Sequence, residues 1–261
     1  MLVLLPPSEG KTPAETDTPF DLSRVEPFSG ELEGPRSLVL ENLIEVSGRD
    51  DALEVLKVGK TIAYEVRANR TLPAANVAPA YQIYSGVLFE AGEINRRGRA
   101  YEPSENFEVL VQSALFGVVD LASQIPAYRL SMDTKLGELG NLGTWWKKQL
   151  GELMDGKARH RIVVDGRSGA YQKAWPGVSG EHDLIRVNAV RVRNGKRSVV
   201  SHNAKRYRGI LAGALMDRAG EVEDSIDFVV DTARSLKDHA DFSDVEVHQK
   251  NGYLELVLVT A

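Results

Sequence analysis

The segment His202-Asn203-Ala204-Lys205-Arg206-Tyr207-Arg208-Gly209 sets three permanent cations at the start of an apolar, helix-periodic run. That run holds Ile210, Leu211, Ala214 and Leu215 and stops near Gly220. A helix N-terminus already carries partial positive charge, so each cation placed there costs about 0.3–1 kcal/mol. The chemistry open to such an arrangement is to hold an anion, met by the cations and the free backbone N–H groups together. The plainer reading is a solvated basic face on an amphipathic helix. In a chain of formal net charge −5, the local cluster is the stronger guide to partners than the total.

Three further segments join polar side chains to the ends of strands or helices. Pro7-Ser8-Glu9-Gly10-Lys11 follows the apolar start of the chain, and Pro126-Ala127-Tyr128-Arg129-Leu130-Ser131-Met132 follows another apolar stretch. Asp165-Gly166-Arg167-Ser168-Gly169-Ala170-Tyr171 comes after Ile162-Val163-Val164. Small residues such as Gly166, Ser168 and Gly169 beyond a strand let backbone approach a ligand closely. With the basic segment, these stretches nominate an anion pocket made of Ser8, Glu9, Lys11, Tyr128, Arg129, Arg167, Ser168, Tyr171, His202 and Lys205. Neither glycine-rich segment has the spacing of a Walker or dinucleotide fingerprint. His202 has no metal-ligand partner at i+4, so no metal is expected, and no cofactor is implied. Its pairing with Ser8 or Ser168 and an acid as a nucleophilic triad has no support in the spacing.

A fourth candidate is structural in form. Leu53-Glu54-Val55-Leu56-Lys57-Val58-Gly59-Lys60-Thr61-Ile62-Ala63 reads as two short helices meeting at a tight turn centred on Val58-Gly59. Glycine would supply the left-handed backbone of that turn, and Ala63 would keep the crossing close. Leu56, Ile62 and Val66 would fill the shared core. The second helix would offer free N–H groups, with Lys60 and Thr61 beside them, to a phosphate. This is the general form of a helix–hairpin–helix element, placed at about residues 50–70. A plain αα-corner is the alternative.

The elements that must position these residues follow from periodicity. Met1 to Leu5 reads as a buried strand, and residues 6–34 as an extended loop rich in Pro, Gly, Ser and acids. A helix is expected from Arg36 to Gly48, then one capped by Asp50 or Asp51 through Leu56, then one from Lys60 to about Asn69. Arg96, Arg97 and Arg99 fall in an expected basic loop, and Phe107, Leu110, Val111 and Ala114 in an expected helix at 105–115. Helices are also expected at 143–155 and 225–240, with a short strand at Ile162–Val164. Two hairpins carry strong turn signals. Leu184–Arg193 and Arg197–Ser201 flank Asn194-Gly195, and Val245–Gln249 and Tyr253–Val259 flank Asn251-Gly252.

Composition bounds the rest. The chain has 261 residues, 43% hydrophobic and 26% charged, as in an ordinary globular protein, and is long enough for a sizeable core. The fold class expected is α+β: one domain spanning residues 1–261, with a mixed sheet core and surrounding helices. The absence of cysteine excludes disulfides and thiolate metal sites. No run of about 18 apolar residues is present, so no membrane partner is expected and the expected location is cytoplasmic.

These segments, taken in order, resemble the YaaA family of bacterial proteins associated with resistance to peroxide stress. The resemblance runs through Leu4–Lys11, Tyr84-Ser85-Gly86, Leu115-Phe116-Gly117-Val118, Pro126–Met132, Asp165–Tyr171 and His202–Gly209, and so spans nearly the whole chain. It implies a single-domain fold with a helix–hairpin–helix element, binding to double-stranded or distorted DNA, and limitation of damage from unincorporated iron. Carried over residue by residue, the hairpin falls on Leu56–Ala63, with Val58, Gly59, Lys60 and Thr61 at its turn, and the basic motif on Lys205, Arg206 and Arg208. The chain departs from the family pattern in a polar insertion at 12–35 and a basic loop at 92–99. Two functions from different classes follow: a DNA-backbone grip in the peroxide response, and an enzyme acting on a small anionic or nucleotide-like substrate.

Overall fold

The computed structural model describes residues 1–178, 183–193, 196–199, 201–238 and 242–260. In its first third, β1 (Leu2–Leu5) leads to α1 (Ser29–Ser47), α2 (Ala52–Val55) and α3 (Ala63–Ala68). Then come β2 (Ala78–Pro79), α4 (Ala80–Ile83), α5 (Val87–Ala91) and α6 (Ile94–Gly98). The middle holds β3 (Glu108–Ser113), β4 (Gly117–Asp120), β5 (Gln124–Ile125), β6 (Lys135–Leu136), β7 (Gly140–Asn141) and α7 (Leu142–Ala158). The last third adds β8 (Val163–Asp165), α8 (Gly169–Gln172), β9 (Leu184–Arg193), β10 (Lys196–Val199), α9 (Ser201–Asp217), α10 (Ile226–Ser235), β11 (Asp244–Lys250) and β12 (Tyr253–Thr260).

Mixed α and β structure is what results, around a central sheet of eight strands among the described residues, in the order β11-β12-β9-β8-β1-β3-β4 with β10 beside the far end of β9. The pairs β1–β3, β1–β8, β8–β9 and β9–β12 are parallel, and β4, β10 and β11 join antiparallel. Strand β1 lies inside the sheet between β8 and β3, buried along its whole length. The chain leaves β1 to build β3 on one side, then later returns to build β8 on the other. That reversal makes the carboxyl end of β1 a topological switch point, where open α/β sheets bind their ligands.

Several expected elements are corrected. Residues 108–113, expected as a helix, form strand β3, buried at every position. An apolar run buried on both faces has no alternating signature, so periodicity cannot tell it from a helix. The helix expected from Arg36 starts instead at Ser29 and runs through Pro35, so the loop after β1 is shorter than expected. Burial of Leu32, Arg36 and Val39 outweighs the breaker signals of Gly34 and Pro35. Arg36 is fully buried and donates to the carbonyls of Val25, Pro27, Phe116 and Val118, clasping α1 to β4. Burial pushes its pKa down to about 10.

The stretch expected as a basic loop contains α6, anchored by buried Ile94, with Gly98 against the Tyr81 ring. Its Arg97 pairs with Asp217 and Glu93, so it is a helix-to-helix tie. Asp51 makes no capping hydrogen bond and pairs with Arg49 instead. The second expected hairpin forms as β11 and β12. The first forms as β9 and β10, with its second strand at Lys196–Val199; Ser201 already belongs to α9, and Asn194-Gly195 lie outside the described residues.

Candidate functional site

Strands β1, β3 and β8 run parallel, so their carboxyl ends share one edge of the sheet. From β1 issues the loop Pro6 to Lys11. It is held by a bridge between Lys11 and Tyr84, by Thr12 N–H donating to Ile83 (2.9 Å), and by Ser85 N–H donating to the Ser8 hydroxyl (3.0 Å). The Lys11 ammonium donates to the carbonyls of Ser8 (3.0 Å) and Glu9 (3.4 Å) and lies 4.0 Å from the centre of the Tyr128 ring. Beyond that ring a chain of hydroxyls runs inward. Tyr84 Oη is 3.1 Å from Tyr128 Oη, which is 2.8 Å from Ser113 Oγ at the end of β3. Burial raises both phenols, so they stay protonated at neutral pH.

Arg129 follows directly. Its guanidinium reaches Glu65 on α3 (3.3 Å) and Glu9 (3.4 Å), and its backbone is fixed by Asn69, whose amide oxygen accepts from Arg129 N–H while its Nδ2 donates to Arg129 O, both at 2.9 Å. Lys11, Pro13, Tyr64, Glu65, Ala68, Ala127 and Tyr128 line a cavity of about 190 Å³. Burial, then the charge of Arg129, lowers the Lys11 pKa to about 7, against the pull of Glu65 and Glu9.

An unfolded lysine keeps its proton to about pH 10.4. Between pH 7 and that value the unfolded chain therefore binds more protons, and stability rises with pH across the window. Lys11→Met is expected to remove this rise. The variant should be on the order of 2 kcal/mol more stable than the parent at pH 6, after allowance for water at the cavity mouth, and lose that margin by pH 10. Thermal melts over the pH series read this directly; a margin constant with pH would show that Lys11 titrates normally.

The third motif is built into the core. The carboxylate of Asp165, at the end of β8, takes Arg167 through both oxygens (2.8 and 3.0 Å), and both side chains are fully buried. Arg167 also donates to Gln112 on β3 (2.8 Å), and Gln172 Nε2 to Asp165 (3.2 Å). The guanidinium is thereby spoken for, and Arg167 ties β8 to β3 across the end of β1. Ser168 is half-buried at the start of α8. Tyr171 is buried, its phenol raised by burial and hydrogen-bonded to Ser131 and the backbone of Met132.

The basic helix divides by face. Ala204, Tyr207 and Gly209 are buried, while Lys205 and Arg206 are exposed. Arg208 turns inward, donating to Val187 O (2.8 Å) and Asn188 Oδ1 (3.1 Å), and burial lowers its pKa. It pins α9 to β9. Lys205 lines a recess of about 250 Å³ with Ser8, Glu9, Gly10, Ser85 and Gly86. The side chain of His202 lies outside the described residues.

The turn between α2 and α3 is closed differently from expectation. The left-handed residue is Lys57 (φ 57°), while Gly59 is extended at φ −67° and ψ 151°. Val58 N–H donates to Leu53 O (2.8 Å) and Lys57 N–H to Glu54 O (3.1 Å), the pairing of a Schellman motif. Leu56, Val58 and Val66 are buried and Ile62 packs against the core, leaving Gly59, Lys60 and Thr61 exposed. Residues 60–62 form a 3₁₀ turn, so the second helix opens with a tighter turn than an α-helix.

The structure thus gathers Ser8, Glu9, Lys11, Tyr128, Arg129 and Lys205 around one loop. It sets Arg167, Tyr171 and Arg208 behind it as supports. Sequence reasoning missed Glu65, Asn69, Tyr84 and Ser113 as members of this arrangement. Tyr84 alone carried a signal, in Tyr84-Ser85-Gly86.

By class, this is a mixed α and β protein with a cleft at the switch point of its sheet and α3 forming one wall. The chain belongs to the family described as peroxide stress protein YaaA, whose model matches residues 1–232. It is 37% identical to a UPF0246 protein of Streptomyces coelicolor over 83% of each chain. It is also 37% identical to one of Corynebacterium efficiens over 86% of this chain and 91% of that one. A third, from Corynebacterium glutamicum, is 38% identical over 82% of this chain and 84% of its own. Among the described residues no helix is long and apolar enough to cross a membrane.

Proposed function

We propose that this protein serves the peroxide response by gripping the backbone of double-stranded or distorted DNA without base readout, thereby limiting damage from unincorporated iron. The observation that carries the reading is the α2–α3 hairpin: its apolar residues are buried and its tip offers Gly59, Lys60 and Thr61 to solvent. The family description supports the stress role. Lys205, exposed, lines the recess formed with Ser8, Glu9 and Gly10, while α3 lines the cavity that holds Lys11; Arg206, next in the chain, is also exposed. Val58 and Arg208, buried or engaged, act in this reading as supports of the grip.

Fluorescence-anisotropy titration of duplex and junction DNA over a salt series tests it. Binding should weaken steeply with salt, and Lys60→Ala and Lys205→Ala should each lower the log–log slope by about 1, equally on unrelated sequences. Binding that ignores salt, or none at low salt, overturns the reading.

A second reading has its own support. Lys11, Tyr84, Tyr128 and Ser113 form a connected polar set beside a small cavity, more than a phosphate grip requires. In this reading the cleft takes a small anionic or nucleotide-like substrate, its anion near Lys205 and its reacting group near Lys11.

A further inference from the structure

We infer that β11 is a self-pairing edge, through which two copies of this chain join by antiparallel pairing of Asp244–Lys250 about a two-fold axis at Val247. The pairing continues one sheet into the other and depends neither on DNA nor on the cleft.

The sheet ends differently on its two sides. Strand β4, at one end of the strand order, is buried at all four positions. Strand β11, at the other end, pairs only with β12 among the described residues, and Asp244 and Val247 to Lys250 are exposed. An open strand edge is a template for another strand, and proteins blunt it with bulges, prolines or charges. The seven residues of β11 keep unbroken register with β12, include no proline, and set Val247 at the midpoint with 39% exposure. Lys250 and Tyr253 close a two-residue turn, so they exchange backbone hydrogen bonds. Alternation then aims the N–H and C=O of Val245, Val247 and Gln249 away from β12.

The charges of β11 select one partner and one register. Centred on Val247, antiparallel pairing sets Asp244 against Lys250 of the second copy, Glu246 against its His248, and Val247 against itself. The charged residues then occupy the non-hydrogen-bonded positions, where facing side chains lie closest. A slip by two residues keeps the backbone pattern but puts Glu246 on Glu246 or His248 on His248. Parallel pairing in register sets every charge against itself. The Val247-centred register alone among these uses all of β11 and opposes unlike groups throughout.

Each charge also has a partner on its own chain. Lys237 meets Asp244 (2.5 Å), Glu255 meets Lys250 (3.3 Å), and Arg197 and His248 meet Glu246 (2.7 and 2.9 Å). Self-pairing joins these pairs end to end. Lys237 and Asp244 of one copy continue into Lys250 and Glu255 of the other, with alternating sign along the row. Isolated exposed ion pairs contribute little, whereas networks contribute more. A single strand pair is a small interface, so the dimer is a weak one, formed at micromolar concentration.

Sedimentation velocity of the full chain, without DNA, over a concentration series reads the assembly. A monomer–dimer equilibrium is expected. Asp244→Lys opposes like charges at both ends of the interface, as does Lys250→Asp, and each should weaken dimerisation about tenfold or more. Mixed in equal amounts, the two variants oppose unlike charges again at both ends, so the mixture should dimerise as the parent does. That recovery excludes misfolding as the cause of the loss. Val247→Pro deletes an N–H aimed away from β12, a position where an edge strand tolerates proline. This variant should melt as the parent does and stay monomeric.

A monomer at every concentration overturns the inference. A dimer that survives Val247→Pro also overturns it, because the interface then lies elsewhere on the molecule. So does a mixture of the two charge variants that fails to recover, because the register is then another one.

Discussion

Replacing Arg167 with methionine is expected to cost about 3–5 kcal/mol of stability, a fall of the order of 10 °C in Tm. The size follows from what remains behind. Asp165 is fully buried and takes Arg167 on both oxygens, and without it, among the described residues, only Gln172 reaches the carboxylate by side chain. The lost partner also leaves Gln112 Oε1 without its donor. A buried charge stripped of its counter-ion suffers the desolvation cost with little to offset it. Removing both charges, as in Asp165→Asn with Arg167→Met, should recover part of the loss, because the uncompensated charge disappears.

Denaturant unfolding of the two single variants and the double variant reads this as a coupling energy. Single-variant losses that simply add would show that the pair is not the source of the cost. The consequence reaches the cleft, since the pair ties β8 to β3 at the end of β1, where the Ser8–Lys11 loop departs. If the protein grips DNA as proposed, an Arg167 variant that folds is expected to bind it less well, although Arg167 itself is fully buried.

That outcome also shows where sequence reading succeeds and where it stops. Asp165-Gly166-Arg167 was legible as a strand end with polar residues, and its position beside β1 bears that out. A lone arginine in a glycine-rich segment nevertheless carries no mark of burial, so Arg167 read as a cation facing a ligand. The hairpins at 184–199 and 244–260 were legible because β-branched runs flank Asn-Gly turn signals. Strand β3 was not, since an apolar stretch buried on both faces has no period of two. The cleft was half legible. Ser8, Glu9, Lys11, Tyr128 and Arg129 were named from local composition, yet Ser113, Asn69 and Glu65 act through contacts between 15 and 64 residues distant. No local pattern encodes such pairings.

Gly209→Ala should destabilise the protein by about 3 kcal/mol, although alanine is the better helix former by nearly 1 kcal/mol. Helix α9 crosses α5 with almost nothing between the backbones. A Cβ on Gly209 would overlap the carbonyl oxygen of Leu88 and lie 2.9 Å from its carbon and 3.1 Å from its Cα. Those atoms are backbone, so relief requires one helix to move. Gly92 and Gly213 sit on the same seam, and a Cβ on Gly213 would come within 2.5 Å of Gly92 O. The seam therefore leaves no slack along which the displaced helix could slide.

Gly151→Ala, within α7 and with open space around the new carbon, is the matched control and should gain up to about 1 kcal/mol. Thermal melts should place the two variants on opposite sides of the parent; equal shifts would mean that helix propensity alone governs both. Helix α5 begins just after Ser85, whose N–H holds Ser8, and α9 carries Lys205. Parting the two helices separates the Ser8–Lys11 loop from Lys205, which lines a recess with it. Under the proposed DNA grip, Gly209→Ala is accordingly expected to weaken salt-dependent DNA binding as well as stability, while Gly151→Ala leaves binding unchanged. Binding unaltered in a folded Gly209→Ala protein would mean that the recess beside Lys205 plays no part in it.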